Sequence, residues 1–484
     1  MKKLLISICM LTLFLSACIP TDTEVSYLYP GDTKMWNNIF NNAKKYNVPN
    51  ETQGAVLPHH MVAAFEIAGF YKSLAAQNDY STIFLVGPNH YESGKENIQT
   101  CTNCIFNTTS EPVELNQEFI SKILADKQAT ERNESFVQEH AIFTHAPFIK
   151  NAWPKAKIVP VLLQWEMPQD ELDSFAEWLN ENLPANSLVL ASVDFSHYIP
   201  WEAADFHDLA SHATIQNFDF ENIYDLEVDS PSSLYLLLKL MQARNSMHAA
   251  RHDHTNLAQY LTVEEYITTS HQYFSFSPGK INPQKSITVQ YFGAIPDEEN
   301  LQIIDDWNWG ESYSEYLRDI QGIEDRFLTG TDFLVFNPEP GCETKTQNNM
   351  SIAFCSFNDE ITALQEISKI IGAQDFISLH FTFTGNSNPQ KTAHKFIDSG
   401  VDILIGHGLQ EIPENETYNE ALIYYSLGDF ISPGQDSNGE VIGIHFSPDS
   451  MTEFSFPITI DNGYPTLYQN EPLVDQTLSS YDLQ

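Results

Sequence analysis

Short apolar runs alternate with helical stripes through much of the chain, the pattern of a parallel sheet with crossover helices. Ile83-Phe84-Leu85-Val86, Ile158 to Leu163 and Leu188 to Ser192 read as strands buried on both faces, and Ala55-Val56-Leu57 is a further apolar run. Between them, Met61 to Ala76 sets Ala64, Phe65, Ala68, Tyr71 and Ala75 on one stripe. Pro168 to Leu183 opens with proline and acidic residues and puts Leu172, Phe175, Trp178, Leu179 and Leu183 on one face. Ser277-Pro278-Gly279-Lys280 then marks a boundary. A second pattern follows, with strands expected at Ile287 to Phe292, Asp332 to Phe336, Ser351 to Phe357, Phe376 to Phe381, Asp402 to Ile405 and Leu422 to Ser426. Helices are expected in the 360s and from Pro389. The expectation is α/β throughout: residues 1–17 a leader, 18–50 a tether, 51–276 a first domain, 277–285 a linker and 286–484 a second domain.

Charge and cysteines add a compartment. The 484 residues carry 24 Lys and Arg against 65 Asp and Glu, a net charge of -41. Such a surface repels nucleic acid and anionic headgroups, so no nucleic-acid partner is expected. Lys2 and Lys3 precede an apolar stretch, Leu4 to Leu15, that is short for a bilayer span, and Leu15-Ser16-Ala17-Cys18 follows. This order resembles a bacterial lipoprotein signal, with cleavage before Cys18 and acyl chains on that cysteine; the bland alternative is an ordinary secretory signal. The expected location is therefore outside the cytoplasm, held to a membrane by the lipid on Cys18. Cys9 would leave with the leader, and Cys101, Cys104, Cys342 and Cys355 remain, an even number in an oxidising compartment. Cys101-Thr102-Asn103-Cys104 reads as a redox pair, half a metal site or a local disulfide. The lack of a second pair at zinc-site spacing favours the disulfide, and Cys342 with Cys355 is the other candidate pair.

Histidine recurs where strands end. The 55–57 run leads to Pro58-His59-His60, the 83–86 strand to Asn89-His90, and the 188–192 strand to Val193-Asp194-Phe195-Ser196-His197, while Glu139-His140 enters a helix. Ligands of open parallel sheets bind outside the carboxyl ends of the strands, so these imidazoles are candidates for one site. Imidazole suits iron, copper and zinc, and two histidines with one carboxylate leave positions open for oxygen or substrate. A further histidine would move protons. Any one of these histidines, taken alone, reads as a turn or surface residue.

Pro58-His59, Gly87-Pro88-Asn89-His90, Glu139-His140-Ala141-Ile142 with Pro147-Phe148, Ile158 to Leu162, and Ser192-Val193-Asp194-Phe195-Ser196-His197 stand in the order of the Memo family. Over about residues 50 to 276 the chain resembles protein B of the AmmeMemoRadiSam system. The resemblance implies the fold of class III extradiol dioxygenases, which open catechol rings with iron(II) and dioxygen. It makes His59 and His90 metal ligands and gives Asp194, His197 and His140 places in the pocket, as catalytic residues. Memo proteins commonly present a cysteine as third ligand, where Asp229 falls here; a carboxylate there favours iron(II) over copper(I). The competing reading of Asp229 is a helix N-cap before Leu234.

The second half resembles the CapA-like family of poly-gamma-glutamate capsule synthesis, built on a calcineurin-like metallophosphatase fold. The residues are Phe396 to His407 and Tyr424-Tyr425-Ser426-Leu427-Gly428-Asp429-Phe430, with weaker matches at 287–293, 332–339 and 378–380. The family's Gly-Asp after its first strand is here Gly293-Ala294, and its Gly-His-His-Pro-His is Gly406-His407-Gly408-Leu409-Gln410. His380 and His407 remain as ligand candidates. Two imidazoles cannot hold two cations, so this half is expected to be inactive. Two functions stay open: metal-dependent oxidation of a small phenolic or similar ligand, with iron or copper as cofactor, or a non-enzymatic surface scaffold for a polymer, peptide or partner. A third, weaker one is surface-polymer metabolism by the second half.

Overall fold

The computed structural model describes residues 23–25, 32–199, 201–260, 268–293, 331–335, 340–383, 388–409, 412–428, 437–448, 450–461 and 464–466. Cys18 and the leader, Ala294, Asn337 to Glu339, Gln410 and Asp429 lie outside them. The first unit is built on a ten-stranded sheet whose centre is Gly54–Leu57, Ser187–Ser192, Thr82–Pro88 and Lys157–Leu163 in that order, all parallel. Every residue of the first three strands is buried, which is why their sequences are continuous apolar runs and not alternations. Thr268–Ser277 closes one side antiparallel to Gly54–Leu57 and itself pairs His248–Asn256 and His197–Ile199.

Helices cover both faces. Met61–Ala63 is a 3-10 turn that passes into the α-helix Ala64–Gln77, and Gln169–Asn182 follows the strand Lys157–Leu163. The stretch read as a tether is partly structured: Thr33–Asn41 is a helix capped by Asp32, whose carboxylate accepts from Met35 N at 2.8 Å. Its Trp36 and Ile39 are buried in the first unit's core, so ordered packing begins well before residue 51. Amphipathic spacing hid in a polar sequence here, because Trp36 and Ile39, with Met35 and Phe40 half-buried beside them, suffice to dock about two and a half turns.

The second unit has two packed sheets. One runs Phe333–Val335, Ile287–Tyr291, Ser437–Ser447, Ser450–Asp461, Tyr464–Thr466; the other runs Gly341–Gln347, Met350–Phe357, Phe376–Thr382, Ile403–His407, Ala421–Tyr424, Glu416–Tyr418. Ile287, Val289 and Tyr291 meet Ile352, Ile403 and Ile405 in the shared core. Helices Glu360–Ile370 and Pro389–Asp398 cover the far face of the six-stranded sheet. Cys101 is bonded to Cys104, and Cys342 to Cys355. The second pair stands directly opposite in the antiparallel Gly341–Gln347 and Met350–Phe357 ribbon, with Cα atoms 4.0 Å apart.

One helix joins the units. Trp201–Asn217 packs on Thr268–Ser277 and His248–Asn256 with one side and on the five-stranded sheet with the other. Of its seventeen residues only Trp201 is exposed, as expected of a helix covered all round.

Candidate metal centre

Strand register brings the histidines together. Leu57 is level with Ser192, and Ala191 with Val86, so His59, Asp194 and His90 all emerge just past the carboxyl edge of three neighbouring strands. Ring centroids lie 5.2 Å apart for His59 and His90, and 5.0 Å for His59 and His140; His140 stacks on His90 at 4.4 Å. Asp229 arrives from the loop before helix Pro231–Ala243. The N-cap of that helix is Ser230, which leaves the Asp229 carboxylate free to face the histidines. Its Oδ1 accepts from Asp194 N at 3.2 Å, while Oδ2 lies 3.1 Å from His59 Nε2 and 3.5 Å from His90 Nε2. Asp194 Oδ1 accepts from His59 N at 3.0 Å, and its Oδ2 is 3.4 Å from His59 Nε2.

These spacings fit a cation. Donors at about 2.1 Å from one ion stand about 3.0 Å apart at right angles and about 3.4 Å apart at tetrahedral angles. The two Asp229 to histidine separations fall at those edges. Two donor groups, His59 with His90 and His140, and His59 with Asp194 and Asp229, each have all ligand atoms within 4.8 Å of one another. Asp229 Oδ2 is buried and accepts no well-formed hydrogen bond, a position that costs on the order of 1–3 kcal/mol unless a ligand satisfies it.

Charge is unevenly shared among these groups. Burial, then the Asp229 charge, pushes Asp194 well above the usual carboxylate range. Burial raises Asp229 too, but His59 and His90 outweigh it and keep Asp229 ionised. Burial lowers His90, yet Asp229 and Glu139 more than offset this and carry it up to about 10. Burial, chiefly, lowers His59, and it takes His140 down to about 4, so His140 is a neutral base.

The imidazoles of His90 and His59 are each held from behind. Glu139 caps the short helix His140–Phe143 and grips His90 twice, through His90 N at 2.9 Å and Nδ1 at 2.7 Å. His59 Nδ1 meets Ser192 Oγ at 2.9 Å; Ser192 Oγ meets His145 Nε2 at 2.9 Å; His145 Nδ1 meets the Tyr71 hydroxyl at 2.9 Å. An imidazole that offers Nε2 to a cation carries its proton on Nδ1, and such outer partners fix ring and tautomer. His197 begins the edge strand His197–Ile199 and lies close enough to lower His60 and His140. His60 and His271, 5.5 Å apart, complete the histidine wall. The strand-end pattern does not reach His145 or His271, and the sequence gives Ser192 and Tyr71 no role in holding His59. Only Glu139 carried a signal, by its place beside His140.

In the second unit His380 Nδ1 and His407 Nε2 are 3.2 Å apart, and burial takes His380 down to about 3. Among the described residues no third histidine, cysteine or carboxylate joins them to make a metal group.

The family model described as Memo-like protein matches residues 26–271, just over half of the chain. The chain belongs to the Memo family. Within the second unit, residues 377–434 match the model described as bacterial capsule synthesis protein PGA_cap, so a CapA-like region follows the Memo domain. A MEMO1 family protein of Caldivirga maquilingensis is 31% identical over 144 residues, 29% of this chain and 50% of that one. One from Nitrosopumilus maritimus is 26% identical over 216 residues, 41% and 76% of the two chains. The match thus spans about half the length of the first relative. A hypothetical protein of Thermus thermophilus aligns with 36% of this chain and 99% of its own, at 11% identity and a TM-score of 0.25. An uncharacterized protein of Escherichia coli aligns with 46% and 99%, at 11% and 0.31. These two overlaps carry no weight here.

Proposed function

We propose that the Memo domain binds one divalent cation through His59, His90 and Asp229 and oxidises a small phenolic or similar ligand with dioxygen. The observation that carries this reading is the buried Asp229 Oδ2, aimed between two imidazole Nε2 atoms at bonding-edge distances. Two histidines and a carboxylate on one face leave open positions, and that donor set suits iron(II), which supplies a site where oxygen and an organic ligand are brought together. Around it the chain offers a buried carboxyl, Asp194, whose proton affinity burial raises, and a neutral base, His140, 4.4 Å from the His90 ring. His140 also stands as a third imidazole donor, since it shares a donor group with His59 and His90. His197 borders the same wall and is assigned to proton transfer with it.

The decisive measurement is metal content and affinity of the chain from residue 19 onward, expressed without the leader. Wild type is expected to take up one iron per chain from iron(II) under anaerobic conditions. His59→Ala and His90→Ala should each lose it, and Asp229→Ala should bind at least tenfold more weakly. A wild-type chain that stays metal-free after this treatment sinks the proposal and leaves the scaffold reading, in which the domain presents a binding surface without chemistry.

A further inference from the structure

Among the described residues of the second unit only His380 and His407 stand together as ligand candidates, yet its first strand reaches the Memo centre through three buried side chains. Gln290, on strand Ile287–Tyr291, donates from Nε2 to His207 Nε2 at 3.0 Å. His207 in turn donates from Nδ1 to Glu227 Oε2 at 2.6 Å. Glu227 is two residues from Asp229, whose own backbone N–H donates to Asp194 O at 3.1 Å. Gln290 and His207 are fully buried and Glu227 nearly so, which means no water competes for these bonds.

Three consecutive residues of helix Trp201–Asn217 divide the work, because successive side chains on a helix point about 100° apart. Phe206 packs against Phe454 and Phe456 and beneath Gly443, where a Cβ would come within 2.9 Å of its ring. His207 bridges Gln290 to the Asp229 loop. Asp208 holds the other carboxylate-bearing loop, that of Asp194: its Oδ1 accepts from Ser196 Oγ at 3.3 Å, while Oδ2 pairs with His254 at 2.7 Å. The helix is thus a bar pinned on one side by the second unit and fixed on the other to both carboxylate-bearing loops.

We propose that the CapA-like unit acts as a brace for the Memo centre, with Gln290, His207 and Glu227 as positioning residues that set where the Asp229 carboxylate stands. This rests on the metal reading above for its consequence, though not for its geometry.

The test uses the chain from residue 19 onward and cobalt(II) as probe. Gln290→Met keeps the volume and removes the N–H; His207→Gln breaks the link to Glu227. Each should weaken cobalt(II) binding about tenfold and alter its visible spectrum, while the thermal midpoint stays near that of wild type. Gln347→Ala is the control, since Gln347 also crosses between the units, to Asp219 at 2.9 Å, but does not reach Glu227. It should leave cobalt affinity unchanged. Equal weakening by Gln347→Ala would mean a general loosening and would overturn the brace, as would unchanged affinity in Gln290→Met. If wild type takes up no cobalt, the metal reading fails by itself. The brace is then decided by ring signals of isotope-labelled His59 and His90 in the metal-free chain: shifts in Gln290→Met sustain it, and coincident spectra refute it.

Discussion

His59 owes its orientation to a chain of buried partners, and one of them makes the fold acid-sensitive. Burial pushes His145 down to about 3, whereas an unfolded histidine titrates near 6.5. Below that pH the unfolded chain binds a proton that the native one refuses, so stability is unaffected at pH 7 and falls as pH drops toward 3. At pH 5 the loss from this residue is about 2 kcal/mol. His145→Gln keeps polar contacts to Ser192 and Tyr71 but cannot be protonated. Its thermal midpoint should fall less between pH 7 and pH 5 than that of wild type, as followed by calorimetry. Equal falls would show that His145 is not held neutral. Residue by residue, the sequence exposed His59 and His90 because strand ends announce themselves. It left Asp229 divided between cap and ligand, and the cap position falls to Ser230 instead. His207 could not be read at all: its partner Gln290 is 83 residues away.

Among the elements, strands buried on both faces were readable because nothing polar interrupts them. Thr268–Ser277 was not, although all ten of its residues are buried, since Thr268-Thr269-Ser270-His271-Gln272 looks like a loop. Some of its polar side chains bond across the sheet or to the 201–217 helix, as where Gln272 Nε2 donates to Asp208 O at 3.2 Å, while Ser270 Oγ, His271 Nε2 and the Tyr273 hydroxyl are buried with no hydrogen-bond partner among the described residues. Packing between elements also leaves one sharp constraint. Gly69, inside helix Ala64–Gln77, passes so close to the 43–46 segment that a Cβ would fall 1.9 Å from Lys44 O. Alanine usually favours a helix by about 1 kcal/mol over glycine, but a backbone oxygen cannot swing aside as a side chain can. Gly69→Ala is therefore expected to cost about 2 kcal/mol or more in urea unfolding. A variant as stable as wild type would mean the two segments are farther apart than described.

At the scale of the molecule, the charge of -41 argues against adhesion to anionic bilayers, and among the described residues no helix is long and apolar enough to cross one. We assign attachment to acyl chains on Cys18, the proposal made by the leader's sequence. In a bacterial host the full chain should enter the detergent-rich phase on Triton X-114 separation, and Cys18→Ala should move to the aqueous phase. A Cys18→Ala chain that still partitions with detergent would refute lipid attachment at that residue.

The helix with hardly an open side has a genealogical consequence. With Phe206 seated under Gly443, neither half of this polypeptide can be discarded without flaying the other. Substitutions that spoil this seam would then be selected against on behalf of both halves at once, whatever each of them does.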